Sequence, residues 1–123
     1  MRELHKFNTA ILFLVFNRPI HTKRVFEKIC LAKPSRLYIA GDGPREGFED
    51  DKKNVTNVRK IATKVDWPCE VKTLFRDKNL GCKKGVSTAI TWFFEHEHQG
   101  IILEDDCVPH EEFFDYCENL LDY

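Results

Sequence analysis

The sequence predicts an α/β fold, a Rossmann-like three-layer α/β/α sandwich around a mostly parallel four-stranded sheet. Four strand-length apolar runs recur along the 123 residues. A segment with helical i, i+3, i+4 spacing of apolar residues follows each run, as in folds where right-handed crossovers join parallel strands. Proline and glycine fall between these segments, where such a fold needs its turns.

The predicted strands differ in how their apolar residues are distributed. The first and fourth are almost continuously apolar, which predicts strands covered on both faces of a parallel sheet. The third alternates polar and apolar residues, which predicts a position nearer the sheet edge. The four runs are residues 10–16, 36–41, 69–75 and 100–104.

Helical stripes fill the intervals between the strands and extend almost to the C-terminus. Pro19 suits the first turn of the first helix, and Asn17 is a candidate N-cap. The polar stretch from Gly43 to Lys53 is predicted to be a mobile loop. The stripes run over residues 25–30, 55–65, 86–94 and 113–121.

Composition predicts one folded domain over residues 1–123, because 42% of the chain is hydrophobic. Nineteen basic against twenty acidic residues leave a net charge of −1, which argues against a nucleic-acid binder that relies on bulk charge. An odd number of cysteines without a C-x-x-C pair predicts a reduced, cytoplasmic setting. The apolar run Ala10 to Phe16 is too short to cross a bilayer.

Candidate functional residues follow the strands directly, since ligands bind beyond the carboxyl ends of strands in open α/β sheets. Glu104, Asp105 and Asp106 offer the oxygen ligands that magnesium or manganese prefers. The alternative is a solvated acidic turn before the last helix. Asp42 lies within Gly-Asp-Gly and is a candidate ligand contact or a plain turn residue, and Arg18 is a candidate phosphate contact or a surface cation.

Other polar segments give weaker or negative indications. The turn from Asn79 to Gly85 precedes a helix and carries two lysines, which suits anion contacts, but it lacks the P-loop spacing. No G-x-G-x-x-G follows the first strand, which argues against a dinucleotide oxidoreductase. The segment Glu95 to His98 is predicted to be a solvated helix end rather than a metal site. Cys82 and Cys107 have no evident histidine partner for nucleophilic catalysis.

Four segments together resemble the nucleotide-sugar half of glycosyltransferases with the GT-A fold. They are Val15–Pro19 at the end of the first strand, Asp42 at the end of the second, the Asn79–Gly81 turn, and Glu104–Asp106, which looks like the DxD-type motif. The resemblance covers nearly the whole chain. Within the family, the acidic motif and the Phe113–Tyr116 segment are most similar to inverting transferases that add N-acetylglucosamine to protein-linked glycans.

The resemblance implies a role for residues after the first two strands. Phe16, Asn17 and Arg18 would line the base and approach the diphosphate of a nucleotide-diphospho-sugar donor, with a UDP-sugar expected. Asp42 would accept a hydrogen bond from the uracil imide N–H. Lys84 would give the phosphates a further contact.

The resemblance also implies a metal-dependent donor site. Glu104 and Asp105 would hold the ribose or the first sugar. Asp106 would bind a manganese or magnesium ion that bridges the diphosphate. Such an ion would stabilise the charge that develops on the leaving nucleoside diphosphate.

One departure from the family pattern concerns the C-terminal side. GT-A enzymes continue past the acidic motif with elements that supply the acceptor site and, in inverting enzymes, the general base, whereas this sequence reaches Tyr123 one helix later. We therefore expect the N-terminal part of a longer hexosyl- or N-acetylhexosaminyl-transferase, peripheral to the membrane at most, with a glycan, lipid or protein acceptor. No residue can be assigned as the catalytic base.

Two alternatives stay open at this point. The chain could be a non-catalytic α/β assembly or binding module derived from such an enzyme, and apolar surface on the side of the absent elements would then favour self-association. A phosphate-receiving signalling domain would also use paired acids at a strand end. That interpretation is disfavoured because the acids follow the fourth strand rather than the first.

Overall fold

The computed structural model describes residues 7–121 and contains four strands alternating with four helices. The strands are β1 Ile11–Val15, β2 Arg36–Gly41, β3 Glu70–Phe75 and β4 Ile101–Glu104; the helices are α1 Pro19–Ala32, α2 Asp51–Ala62, α3 Cys82–Phe94 and α4 Glu111–Leu121. All three strand pairings are parallel. The predicted α/β class is confirmed, with an all-parallel rather than a mostly parallel sheet.

The sheet has the strand order β3-β2-β1-β4, which makes β1 a central strand. β1 pairs with β2 from Ile11 opposite Leu37 to Val15 opposite Gly41. On its other side β1 pairs with β4, and Leu14 lies opposite Glu104. The carboxyl ends of β1, β2 and β4 therefore lie side by side at one edge of the sheet.

Helices cover both faces of the sheet, as predicted, but unequally. Apolar residues of α1, α2 and α4 share one core with alternate residues of β1, β2 and β4, including Phe13 and Ile39. Within residues 7–121, the other face packs against α3 alone, whose Ala89 and Phe93 share a core cluster with Leu12, Leu14 and strand β2. This division follows from the strand period of two, which sends successive side chains to opposite faces.

The two edge strands test the predictions about burial. β3 lies at an edge, as its alternating sequence predicted. The prediction that β4 is covered on both faces is wrong, because β4 is the opposite edge strand and its residues alternate between buried and exposed. Ile102 is 37% exposed and does not belong to the core cluster that α3 forms with β1 and β2.

Two local predictions near the carboxyl ends of the strands also need correction. Pro19 opens α1 as expected, but Arg18 is the N-cap residue and makes no side-chain capping bond. Asn17 instead donates a hydrogen bond to Asp51, so it does not cap α1. The polar stretch predicted as a mobile loop is shorter than expected, because α2 begins at Asp51.

The predicted solvated segment Glu95–His98 is also only partly correct. It follows the end of α3, but the side chain of Glu97 is only 12% exposed. Glu97 accepts hydrogen bonds from Arg36 Nε at 3.0 Å and from the Tyr38 hydroxyl at 2.6 Å. This partial burial was not predictable because both partners lie on β2, far away in the sequence.

No helix within residues 7–121 combines the length and the apolar character needed to span a bilayer.

Candidate functional site

A cavity of about 320 Å³ lies at the carboxyl ends of β1, β2 and β3, on the face of the sheet that α3 covers. Its inner walls are apolar and come from Leu14, Ala40 and Leu74 on the strands and from Val86 and Ala89 on α3. Its polar residues cluster in the loops that follow the strands and in the first turn of α3. They are Asp42, Arg45, Arg76, Asn79 and Cys82. An apolar cavity with a few convergent polar groups is typical of small-molecule sites.

Asp42 follows β2 and ties two loops together at the cavity. Its Oδ1 accepts the backbone N–H groups of Gly43 and Leu80, both at 2.8 Å, and its Oδ2 accepts the N–H of Gly81 at 3.0 Å. The Asn79 amide donates to the Gly43 carbonyl at 2.8 Å. A carboxylate has about four lone-pair positions, so Asp42 retains capacity for one further donor from a ligand.

Two glycines allow this close approach of the loops. A Cβ on Gly43 would lie 2.5 Å from the carbonyl carbon of Lys78, a distance that real Cβ atoms do not show. A Cβ on Gly85 would lie 3.2 Å from Oδ2 of Asp42. Both glycines therefore bring Asp42 against the turn that precedes α3.

Arg45 is held in the cavity wall by a buried carboxylate. Its Nε donates to Asp51 Oδ2 at 2.7 Å and its Nη2 donates to Oδ1 at 2.9 Å, while the Arg45 backbone N–H also reaches Oδ2. Asn17 adds a fourth hydrogen bond to the same carboxylate. Its hydrogen bond to the Arg45 guanidinium holds the pKa of Asp51 well below its usual range, so the carboxylate is ionised at neutral pH.

Aromatic rings complete the surroundings of Arg45. The Arg45 Cζ lies 3.7 Å from the centroid of the Phe48 ring and 5.7 Å from that of Phe16. Guanidinium groups stack on aromatic faces in this way. Arg45 therefore has a fixed position between an ion pair and a ring at the cavity wall.

Arg59 of α2 joins the carboxyl ends of β2 and β3 near the cavity. Its Nη2 donates to the Arg76 carbonyl at 2.7 Å and to the Asp42 carbonyl at 3.2 Å. Its Cζ also lies 4.7 Å from the centroid of the Phe75 ring. Burial lowers the pKa of Arg59, although an arginine stays cationic at neutral pH. This residue fixes the loops whose side chains form the cavity.

The acidic residues at the end of β4 and directly after it lie beside the cavity rather than in its wall. The strand register places Glu104 opposite Leu14, which is itself a wall residue. Asp105 is half-buried, and burial raises its pKa, with Arg18 acting in the opposite direction. Asp106 is exposed. The acidic turn therefore adjoins the cavity across one strand.

A preassembled metal centre is not found in the part of the chain that the structure describes: no group of three or more histidine, cysteine or acidic side chains is placed to hold one ion. The acidic turn still offers hard oxygen donors, two of which are exposed. Magnesium is commonly bound through one or two carboxylates, with substrate phosphates and water as its other ligands. Glu104–Asp106 fits that partial role and not a closed all-protein site.

The residues predicted from sequence separate into three groups. Phe16 and Asp42 line the cavity. Five others adjoin the cavity. Asn17 donates to Asp51, the partner of Arg45, and Arg18 acts electrostatically on Asp105 in the acidic turn. Glu104 lies opposite the wall residue Leu14, and Asp105 and Asp106 follow it. Lys84 is exposed on α3 and is not a wall residue.

Arg45 and Asp51 were not predicted from the sequence as site residues. Arg45 and Asp51 lay inside the stretch predicted as a mobile loop, where charged residues are ordinarily solvated. One signal was the position of Arg45 in the Gly-Asp-Gly-Pro-Arg segment that directly follows a strand. Such a segment lies at the carboxyl edge of a parallel sheet, where ligands bind.

Comparison with known proteins identifies no relative of this chain. It matches no family model, no curated protein and no solved structure.

Proposed function

We propose that this chain is the donor-binding domain of a metal-dependent glycosyltransferase that uses a nucleotide-diphospho-sugar, with a UDP-sugar as the expected donor. The observation that carries the proposal is the cavity at the carboxyl ends of three adjacent parallel strands, with two arginines in its wall and an acidic turn beside it. A ligand with a ring for the apolar interior and a polyanionic group near the arginines and the acidic turn suits this arrangement.

The cavity size suits part of such a donor. Small-molecule sites measure about 300–1,000 Å³, so a cavity of about 320 Å³ has room for a nucleoside rather than for a whole nucleotide-sugar. The ring would pack between the apolar strand residues and α3, beside Phe16 and Asp42. The diphosphate and sugar would then extend from the cavity towards Arg18 and the acidic turn.

The metal belongs to the proposal through the acidic turn. Asp106 would hold a manganese or magnesium ion, with Glu104 and Asp105 towards the ribose or the sugar. When bound, such an ion supplies positive charge against the charge that builds on the leaving diphosphate. The chain's own contribution would be to seat the nucleoside in the cavity and to present carboxylates beside it.

The wider assignment is part of the same proposal. The activity would be a hexosyl or N-acetylhexosaminyl transfer to a glycan, lipid or protein acceptor in the cytoplasm or at a membrane surface. Self-association of this domain stays a prediction.

Calorimetric titration of the chain with UDP tests the proposal. It is made with manganese, with EDTA, and with the variants Asp106→Ala and Asp115→Ala. Asp115 is an exposed acid on α4 and serves as the matched control. We expect binding that requires manganese and is lost in Asp106→Ala but kept in Asp115→Ala.

Two other outcomes contradict the proposal. Binding that survives both EDTA and Asp106→Ala would favour the alternative of a non-catalytic nucleotide-binding module. Absence of UDP binding by wild-type protein with a cooperative thermal transition would show that the cavity does not accept this donor class.

A further inference from the structure

We propose that Arg45 binds a phosphate group of the ligand in the cavity, and that Asp51 and Asn17 are positioning residues that set the direction of its guanidinium. This inference rests on the proposed function and adds the residue that distinguishes a nucleotide from a nucleoside.

The protein uses only part of the hydrogen-bonding capacity of the Arg45 guanidinium. A guanidinium has five N–H donors arranged in forks. Asp51 occupies the fork formed by Nε and Nη2. Nη1 and the second N–H of Nη2, which form the other fork, have no acceptor among residues 7–121. Two parallel N–H groups of this kind match two oxygens of a phosphate.

Arg45 is a wall residue of the cavity, and its side chain is 40% exposed, so a ligand can reach it. Phe48 covers one face of the guanidinium, with the ring centroid 3.7 Å from Cζ. The ion pair and the ring together reduce the conformational freedom that a free arginine would lose on binding.

Asp51, which holds Arg45, is itself buried and fully hydrogen-bonded. Asp51 is 3% exposed and accepts four hydrogen bonds, three of them from Arg45 and one from Asn17. A surface ion pair that only joins a loop to a helix needs no such burial, because exposed pairs contribute little to stability. Arg45 and Asp51 also neutralise one another, so the contact offers directed hydrogen bonds rather than net positive charge.

The test compares ligands that differ only in phosphate. Affinities for uridine, UMP and UDP are measured by calorimetry in the presence of manganese for wild type, Arg45→Met, Arg45→Lys and Asp51→Asn. Arg24→Met replaces an exposed arginine of α1 and is the matched control. Thermal unfolding of each variant is recorded alongside.

We expect Arg45→Met to weaken UMP binding by about 10- to 100-fold, the range for a hydrogen bond to a charged group, with uridine binding unchanged. Arg45→Lys keeps the charge but not the fork, and it should recover only part of the loss. Asp51→Asn should narrow the affinity difference between UMP and uridine, an effect that a purely structural role would not produce.

The outcomes separate the two proposals. If wild type binds UMP and Arg45→Met binds it equally well, the role of Arg45 is overturned while the donor site stands. Equal losses for uridine and UMP would assign Arg45 to the base and overturn the phosphate contact. If folded wild type binds none of the three ligands, the proposed function fails together with this inference.

Discussion

Two carboxylates with little exposure lie at opposite ends of the sheet and are paired in nearly the same way. Asp51, at the carboxyl end, accepts hydrogen bonds from Arg45 and Asn17, and Glu97, at the amino end, accepts them from Arg36 and Tyr38. Each combines one arginine with one neutral donor. Hydrogen bonds from these partners act to lower the pKa of both carboxylates.

The two pairs differ in what the arginine does with its remaining donors. The Nε–H of Arg36 donates to Glu97, and its Nη2 donates to the carbonyl of Asn8 at 2.8 Å. Both hydrogen bonds therefore connect β2 to other segments of the protein. Arg45 directs both of its bonded side-chain donors to one carboxylate and lies in a cavity wall. An ion pair therefore indicates a binding site only when it leaves donors free beside a space that a ligand can occupy.

Glu97→Ala should give the largest effect, and it should affect stability alone. The substitution removes a charged acceptor from two donors, so the free energy of unfolding should fall by about 2 kcal/mol. UDP binding by the folded protein should not change, because Glu97 lies at the other end of the sheet. Urea denaturation and calorimetry measure the two quantities.

Glu95→Ala is the control for this prediction, since Glu95 is an exposed acid two residues away and should change stability by less than about 0.5 kcal/mol. A loss of UDP affinity in folded Glu97→Ala would show that the two ends of the sheet are coupled, and the comparison would fail.

Tyr38→Phe should give a smaller, pH-dependent effect. Burial and the hydrogen bond to Glu97 raise the pKa of Tyr38 to about 12. A raised pKa contributes stability that is complete below the ordinary tyrosine pKa of about 10 and disappears as the pH rises through 12. The free energy of unfolding should be lower in Tyr38→Phe at pH 8 by about 1 kcal/mol, and the difference should shrink between pH 10 and 12.

Denaturation series at pH 8, 10 and 11.5 measure this difference. Tyr116→Phe, an exposed tyrosine on α4, is the control and should follow wild type at every pH. A gap between Tyr38→Phe and wild type that stays constant with pH would rule out the hydroxyl as its source.

Thr22→Val should give the smallest effect, with the opposite sign. The Thr22 hydroxyl on α1 is buried and has no hydrogen-bond partner within residues 7–121, unlike the donors that serve Asp51 and Glu97. Replacing an unsatisfied hydroxyl with a methyl group of similar shape should raise the free energy of unfolding by up to about 1 kcal/mol. A thermal midpoint below that of wild type would reveal a partner for this hydroxyl.

The fold was predictable because its signals are local. Continuous apolar runs such as Ile11–Val15 and the helical stripes each arise from a few neighbouring residues, and the β-α order then restricts the topology. Whether a strand lies at the edge of the sheet does not depend on neighbouring residues in the sequence. For this reason Ile102, on the edge strand β4, was wrongly expected to be buried. Only the sheet order decides which apolar strand has a neighbour on each side.

The candidate site was predictable in location but not in its pairings. Asp42 and Phe16 follow strands and lie in the cavity, as the rule for parallel sheets indicates. Asn17 looked like a helix cap because asparagine commonly serves there, yet its amide reaches Asp51 in another helix. With 39 charged residues in the chain, sequence alone does not specify which acid meets which arginine.

The strand order also has a consequence for how the chain folds. β1, β2 and β3 are adjacent in both sequence and sheet, so each pairing closes only one helical crossover. β4 pairs with β1 only after the whole intervening chain has been brought round, which carries the largest loop-closure entropy and the highest contact order. We therefore expect the cavity at β1, β2 and β3 to form before the acidic turn joins it, so that the two halves of the candidate site form one after the other.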